Sequence, residues 1–142
     1  MKDILHTSLS PDQLATVSEL ALAHVGDAVF ELLVRTELIC QGSAKVQALH
    51  AKTVARVTAP AQAAFVEALL PRLSPEETAV YKRGRNAHSH PAPNSATPGQ
   101  YARATGLETL FGWLWLTGKK ERVSELYAIG RDQGSGIKDQ GK

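Results

Sequence analysis

Two acidic side chains lie in stretches otherwise built for a protein interior. Asp27 sits in Leu20-Ala21-Leu22-Ala23-His24-Val25-Gly26-Asp27-Ala28-Val29-Phe30, and Glu108 in Ala104-Thr105-Gly106-Leu107-Glu108-Thr109-Leu110-Phe111-Gly112-Trp113-Leu114-Trp115-Leu116. Both read as buried helices. A carboxylate among apolar neighbours is unfavourable unless it is paired, hydrogen-bonded or bound to a metal. Two such acids, far apart in sequence, point to one carboxylate site assembled by folding. Oxygen ligands of this kind suit a hard cation such as Mg²⁺, and with it phosphoryl chemistry. No serine, cysteine or lysine nucleophile competes with that reading.

The surroundings of each acid leave alternatives. Asp27 and Glu31 are four apart and share a helix face, with His24 and Arg35 continuing the stripe. Glu31 is either an outer partner of the metal site or half of a surface ion pair with Arg35. Gly26 costs a mid-helix position about 1 kcal/mol against Ala. It lets either a second helix or a ligand come close. Gly106 and Gly112 thin the helix around Glu108 in the same way, and a buried Glu paired with an Arg or a helix end would also fit there.

Cations cluster in two places. Ala44 to Arg56 carries Lys45, His50, Lys52 and Arg56 without an acid, and Tyr81 to His90 carries Lys82, Arg83, Arg85, His88 and His90 without one. Lys82-Arg83-Gly84-Arg85-Asn86 offers two guanidinium forks and an amide suited to phosphate oxygens. The same run also suits the negative end of a helix dipole. Lys52, Lys82, Arg83, Arg85 and Asn86 are the candidate phosphate contacts. His88 and His90 lack the further ligands that a zinc site needs.

The elements that must carry these groups are punctuated clearly. Ser10-Pro11-Asp12-Gln13, Ser74-Pro75-Glu76-Glu77 and Thr97-Pro98-Gly99-Gln100 each place a hydroxyl N-cap before a proline, with Gln or Glu at the third helical position. That is a capping box with a helix-starting proline. Ser43 offers a further N-cap. Apolar spacing of three and four predicts a first helix over Leu14, Val17 and Ala21 and a second from Val25 to Leu38, stopped near Gly42. A third carries Val46 to Val57, before Pro60 interrupts the chain. A fourth carries Ala63 to Leu70 and ends at Pro71. A fifth runs from Pro75 into Arg83, and a loop spans about 87–96. The sixth starts at Pro98 and stops at Gly118, and a short last helix covers Glu121 to about Ile129. The Gly-rich polar tail, residues 131–142, is expected to be disordered outside a domain of residues 1–130. No strand alternation or repeat is visible, so the fold is expected to be all-α.

With 142 residues, 43% hydrophobic and 21% charged, the composition is that of an ordinary globular domain. No apolar run approaches the roughly 20 residues needed to span a bilayer, and the N-terminus lacks a signal-peptide pattern. A cytoplasmic protein without a membrane partner is expected. The single Cys40 excludes an internal disulfide and reads as a small buried hydrophobe. A net charge of +2 alone does not indicate a nucleic-acid partner. Trp113, Trp115 and Leu116 are either core or an apolar contact surface.

Leu22–Glu31, Lys82–Ala87 and Thr105–Leu116, in this order and spacing, resemble the ribonuclease III family, and more closely its small branch, Mini-ribonuclease III. The resemblance runs from about Leu14 to Tyr127. It implies an all-helical endonuclease-domain bundle of six to seven helices acting as a homodimer. It implies Mg²⁺-dependent hydrolysis of double-stranded RNA to 5′-phosphate and 3′-hydroxyl ends, with Asp27 the catalytic acid and Glu108 its metal-binding partner. Its implied substrate is the paired ends of the large-subunit (23S) ribosomal RNA precursor, with a ribosomal protein as a candidate accessory. Two acids of the larger enzymes are replaced, by Ala23 and Thr105, so one firmly held Mg²⁺ per site is expected. The alternative is a catalytically inactive module that binds structured RNA or ribosomal protein.

Overall fold

A computed structural model describes residues 3–42, 45–87 and 96–140, with side chains through 133, and every regular element among these is helical. In chain order they are α1 (Pro11–Leu14), α2 (Glu19–Cys40), α3 (Val46–Val57), α4 (Ala59–Leu69), a 3₁₀ turn (Leu70–Arg72), α5 (Pro75–Arg85), α6 (Pro98–Leu116) and α7 (Lys120–Gln140). The candidate N-cap Ser43, the pair His88 and His90, and most of the predicted 87–96 loop lie outside the described residues.

The three expected capping boxes form. Ser10 Oγ accepts from the Gln13 amide at 3.2 Å, Ser74 Oγ from Glu77 at 3.1 Å and Thr97 Oγ1 from Gln100 at 3.1 Å, and each third-position side chain returns a bond to its cap's backbone amide. Gly42 and Gly118 have φ of 140° and 77° and follow the ends of α2 and α6. Pro60 falls in the first turn of α4 and Pro71 in the 3₁₀ turn, where the missing amides leave no helical bond unmade.

Two boundaries differ from expectation. The first predicted helix is a single turn, because Ser18 caps a new helix by accepting from the Ala21 amide at 3.1 Å, which gives Ala21 to α2. At the other end α7 continues past Gly130. That glycine is a contact point, not a stop: a Cβ there would lie 2.4 Å from the Phe65 ring.

α6 is the central rod, with Leu107, Leu110, Phe111 and Leu114 fully buried. α2, α4 and α5 pack around it and α7 closes on α4. An aromatic group joins the layers: Phe30 meets Phe65 edge-on at 5.0 Å and Phe111 at 6.0 Å, and Phe65 lies 5.6 Å from Tyr127. Such contacts are worth about 0.5–1.5 kcal/mol each beyond their area. Trp113 is core at 6% exposure, whereas Trp115 is half-buried. Cys40 is exposed, contrary to its apolar context, because α2 ends at the surface there.

Two ion-pair networks pin the periphery. Arg122 grips Glu77 with two bonds of 2.8 Å and also donates to the Arg72 carbonyl, and its guanidinium holds the Glu77 carboxyl below the usual range. Arg56 donates to Glu37 at 2.5 Å, and the Tyr127 hydroxyl reaches the same oxygen at 2.6 Å. Arg56 is thereby tied to the fold and taken out of the basic surface of α3.

Candidate active site

The site is set by the crossing of α2 and α6. A Cβ on Gly26 would lie 1.6 Å from the Glu108 carbonyl oxygen, and one on Gly112 would lie 1.9 Å from the Leu22 carbonyl oxygen. No side chain fits between backbones this close, so glycine is required at both positions. α5 approaches the next face of α6 similarly: a Cβ on Gly84 would meet Thr109 Oγ1 at 2.3 Å, and one on Gly106 the Tyr81 ring at 2.6 Å. Thr109, fully buried, donates to the Thr105 carbonyl at 2.8 Å.

This crossing brings Asp27 and Glu108 together, 81 residues apart in the chain. Their carboxyl groups lie near enough for Asp27 to act on Glu108. Glu108 is half-buried. Asp27 is exposed, not buried as its neighbours led us to expect. The reason is geometric: α2 turns Leu22, Gly26, Val29 and Phe30 inward and leaves Asp27 on the rim. Burial chiefly, and then the bond and charge of Asp27, push the Glu108 carboxyl up to about 8, against a lowering by the Gln62 amide. Without a metal, Glu108 therefore retains its proton well above the ordinary carboxylate range.

Gln62 had no place in the sequence reading. It is 2% exposed on α4, donates to the Val57 carbonyl at 2.9 Å and shares a cavity with Glu108, and its Oε1 is buried without a partner. A signal existed: Gln62, Val66 and Leu69 follow the spacing of a core stripe, on which a lone amide is out of place. Val57, Gln62, Tyr101, Thr105 and Glu108 line a cavity of about 250 Å³ at this point.

These groups fit a hard divalent cation. Two carboxylates that repel one another, beside an unmet amide oxygen, form an oxygen-only donor set of the kind Mg²⁺ takes while keeping several of its waters. Among the described residues, no cluster of three or more His, Cys, Asp or Glu is suited to a metal. Thr105 donates its hydroxyl to the Tyr101 carbonyl at 3.0 Å.

The other candidates divide. Glu31 pairs with Arg35 at 2.9 Å, four residues on along the surface of α2. Lys82 and Lys52 are exposed, with no ion pair among the described residues. Arg83 lies 3.5 Å from Glu19, and Arg85 stacks 5.8 Å over Tyr81 and donates to Asn86 at 3.3 Å. This basic end of α5 adjoins the turn of α6 that carries Glu108, through the Gly84–Thr109 contact.

The sequence pattern of the Ribonuclease III domain matches residues 20–119. A Mini-ribonuclease 3 of Symbiobacterium thermophilum is 44% identical over 117 residues, covering 82% of this chain and 90% of that protein. One from Enterococcus faecalis is 46% identical over 109 residues, covering 75% and 83%. The crystal structure of protein FN1578 from Fusobacterium nucleatum superposes with a TM-score of 0.76 at 28% identity, covering 85% of this chain and 97% of that one.

Proposed function

This chain belongs to the ribonuclease III family, in its Mini-ribonuclease 3 branch, and from that premise we propose that it is an endoribonuclease that hydrolyses double-stranded RNA at a Mg²⁺ site held by Asp27 and Glu108. The observation that carries the site assignment is the glycine-enforced meeting of these two acids. When bound, the ion supplies charge stabilisation at the scissile phosphate and a water nucleophile.

The chain's own groups account for the rest. Asp27, on the rim, is open to a duplex, while half-buried Glu108 is fixed from behind by Gln62. Glu31 stays an outer support, its charge shared with Arg35. Lys52, Lys82, Arg85, Asn86 and the partly neutralised Arg83 contact phosphates. A-form RNA is recognised through shape, phosphates and 2′-hydroxyls more than through base edges, and contacts of this kind suffice for it.

The protein acts as a homodimer. Val25, Ala28, Val29, Leu32 and Trp115 form an apolar hollow on the outer side of α2, with Leu32 55% exposed. A second copy covering that face would set two sites along one duplex. In the cytoplasm the substrate is the paired ends of the large-subunit (23S) ribosomal RNA precursor, with a ribosomal protein as accessory.

The test is a long RNA duplex incubated with wild type and Asp27→Asn, with and without Mg²⁺. Wild type should cut only with the ion. Asp27→Asn should not cut, yet should keep its fold and its RNA binding. Cleavage by the variant at the wild-type rate would remove Asp27 from the chemistry. Binding without cleavage by wild type would favour the inactive RNA-binding module, the reading that Ala23 and Thr105 motivate.

A further inference from the structure

We propose that Gln62 is a positioning residue of the metal site, whose amide fixes Glu108 and whose Oε1 accepts a hydrogen bond from a water on the bound cation. The proposal rests on the reading of Asp27 and Glu108 as metal ligands and assigns a partner to the one polar group there that has none.

Gln62 is held firmly. Thr58 caps α4 by accepting from the Ala61 amide at 3.3 Å, and the Gln62 backbone amide donates to the Thr58 carbonyl at 2.9 Å. Its side chain then points into the core side of the helix at 2% exposure. Nε2 donates to the Val57 carbonyl at 2.9 Å, and Gln62 and Glu108 line the same cavity. That bond and the near-complete burial of the side chain hold the amide in place, and with it the direction of Oε1. That oxygen is buried and unpartnered.

An unmet buried acceptor is costly and calls for a donor. The nearby hydroxyl of Thr105 is already given to the Tyr101 carbonyl at 3.0 Å. The cavity of about 250 Å³ that Gln62 shares with Glu108 has room for water. A water polarised by a divalent cation is a stronger donor than a free one, and Mg²⁺ keeps several waters when only one or two carboxylates bind it. An amide also adds an acceptor without adding to the repulsion between Asp27 and Glu108. Outer partners of this kind typically change metal affinity by about 10- to 100-fold when removed.

Mn²⁺ binding to the RNA-free protein, followed by electron paramagnetic resonance, tests this. Gln62→Leu and Gln62→Glu both remove the bond to Val57, so a purely structural role would treat them alike. We expect Gln62→Leu to bind Mn²⁺ about 10- to 100-fold more weakly and Gln62→Glu at least as tightly as wild type, with both melting temperatures recorded. If Gln62→Leu does not fold, Gln62→Met, which keeps the length and lacks the amide, replaces it. Apolar-variant affinity within about twofold of wild type, or equal weakening in Gln62→Glu, overturns the proposal. Asp27→Asn separates the two levels. If it weakens Mn²⁺ binding while the apolar Gln62 variant does not, only the role of Gln62 fails. If Asp27→Asn binds as wild type does, the metal-site reading fails and takes this proposal with it.

Discussion

Glu108→Gln should make the metal-free protein more stable at alkaline pH while lowering its activity. The folded protein holds the Glu108 proton up to about pH 8, whereas an ordinary glutamate releases it near 4.5. Between these values the folded state binds one proton more than the unfolded chain, so this group makes stability fall as pH rises, and the loss is complete above about 8. At full strength a displacement of that size corresponds to about 5 kcal/mol. Glu108 is partly open to solvent, so we discount this to about 2–3 kcal/mol. Gln has the same shape and no charge to repel Asp27. For a chain of this size the difference corresponds to roughly 10 °C in melting temperature. The assay is urea or thermal unfolding of both proteins in a chelator at pH 5, 7 and 9. The two curves should lie close at pH 5 and separate by pH 9, with the variant above. Parallel pH dependences would refute the claim that burial and Asp27 together hold a proton on Glu108 at the α2–α6 crossing. Cleavage assays on the same samples should show lower activity for Glu108→Gln and a higher Mg²⁺ requirement.

Other perturbations test other links. Gly26→Ala puts a methyl 1.6 Å from the Glu108 carbonyl oxygen, so it should cost more than about 3 kcal/mol in urea unfolding; a wild-type midpoint would mean the helices separate easily. Lys82→Ala and Arg85→Ala should each lower the salt slope of RNA binding by about one, and Arg83→Ala by less, since Glu19 already lies 3.5 Å from it; equal slopes in all variants would make the run structural. Leu32→Asp places a charge on the apolar face of α2 and should shift sedimentation towards the 15.3 kDa monomer; an unchanged mass would move the interface elsewhere.

The helix frame was legible because its signals are local. A hydroxyl, a proline and a Gln or Glu within four residues specify a capping box without reference to the rest of the chain, and all three such boxes formed. Gly42 and Gly118 were legible for the same reason. Gly130 was misread because a glycine that stops a helix and one that admits a Phe65 ring look identical in sequence. Asp27 was expected to be buried and lies exposed beside Glu108. Its apolar neighbours belong to the inward face of α2, and which side of that stripe the acid takes depends on where α6 crosses. Gln62 was missed because its importance lies entirely in tertiary contacts with Glu108 and Val57.

The features that make this junction unfavourable for folding are those that make it receptive to a cation. Glu108 ionises against its burial and the neighbouring Asp27, an amide oxygen lacks a donor, and the two backbones that carry the acids are held in close contact. A ligand that binds only the folded state stabilises it by about 2.7 kcal/mol at one hundred times its dissociation constant. That is the size of the discounted cost of ionising Glu108, which burial and Asp27 impose together. A saturating divalent cation should therefore raise the melting temperature most at alkaline pH, where the carboxylates are free of protons, and flatten the pH dependence of wild type. Glu108→Gln, with one carboxylate fewer, should gain much less. If the cation stabilises both proteins equally, it binds somewhere other than between these two helices.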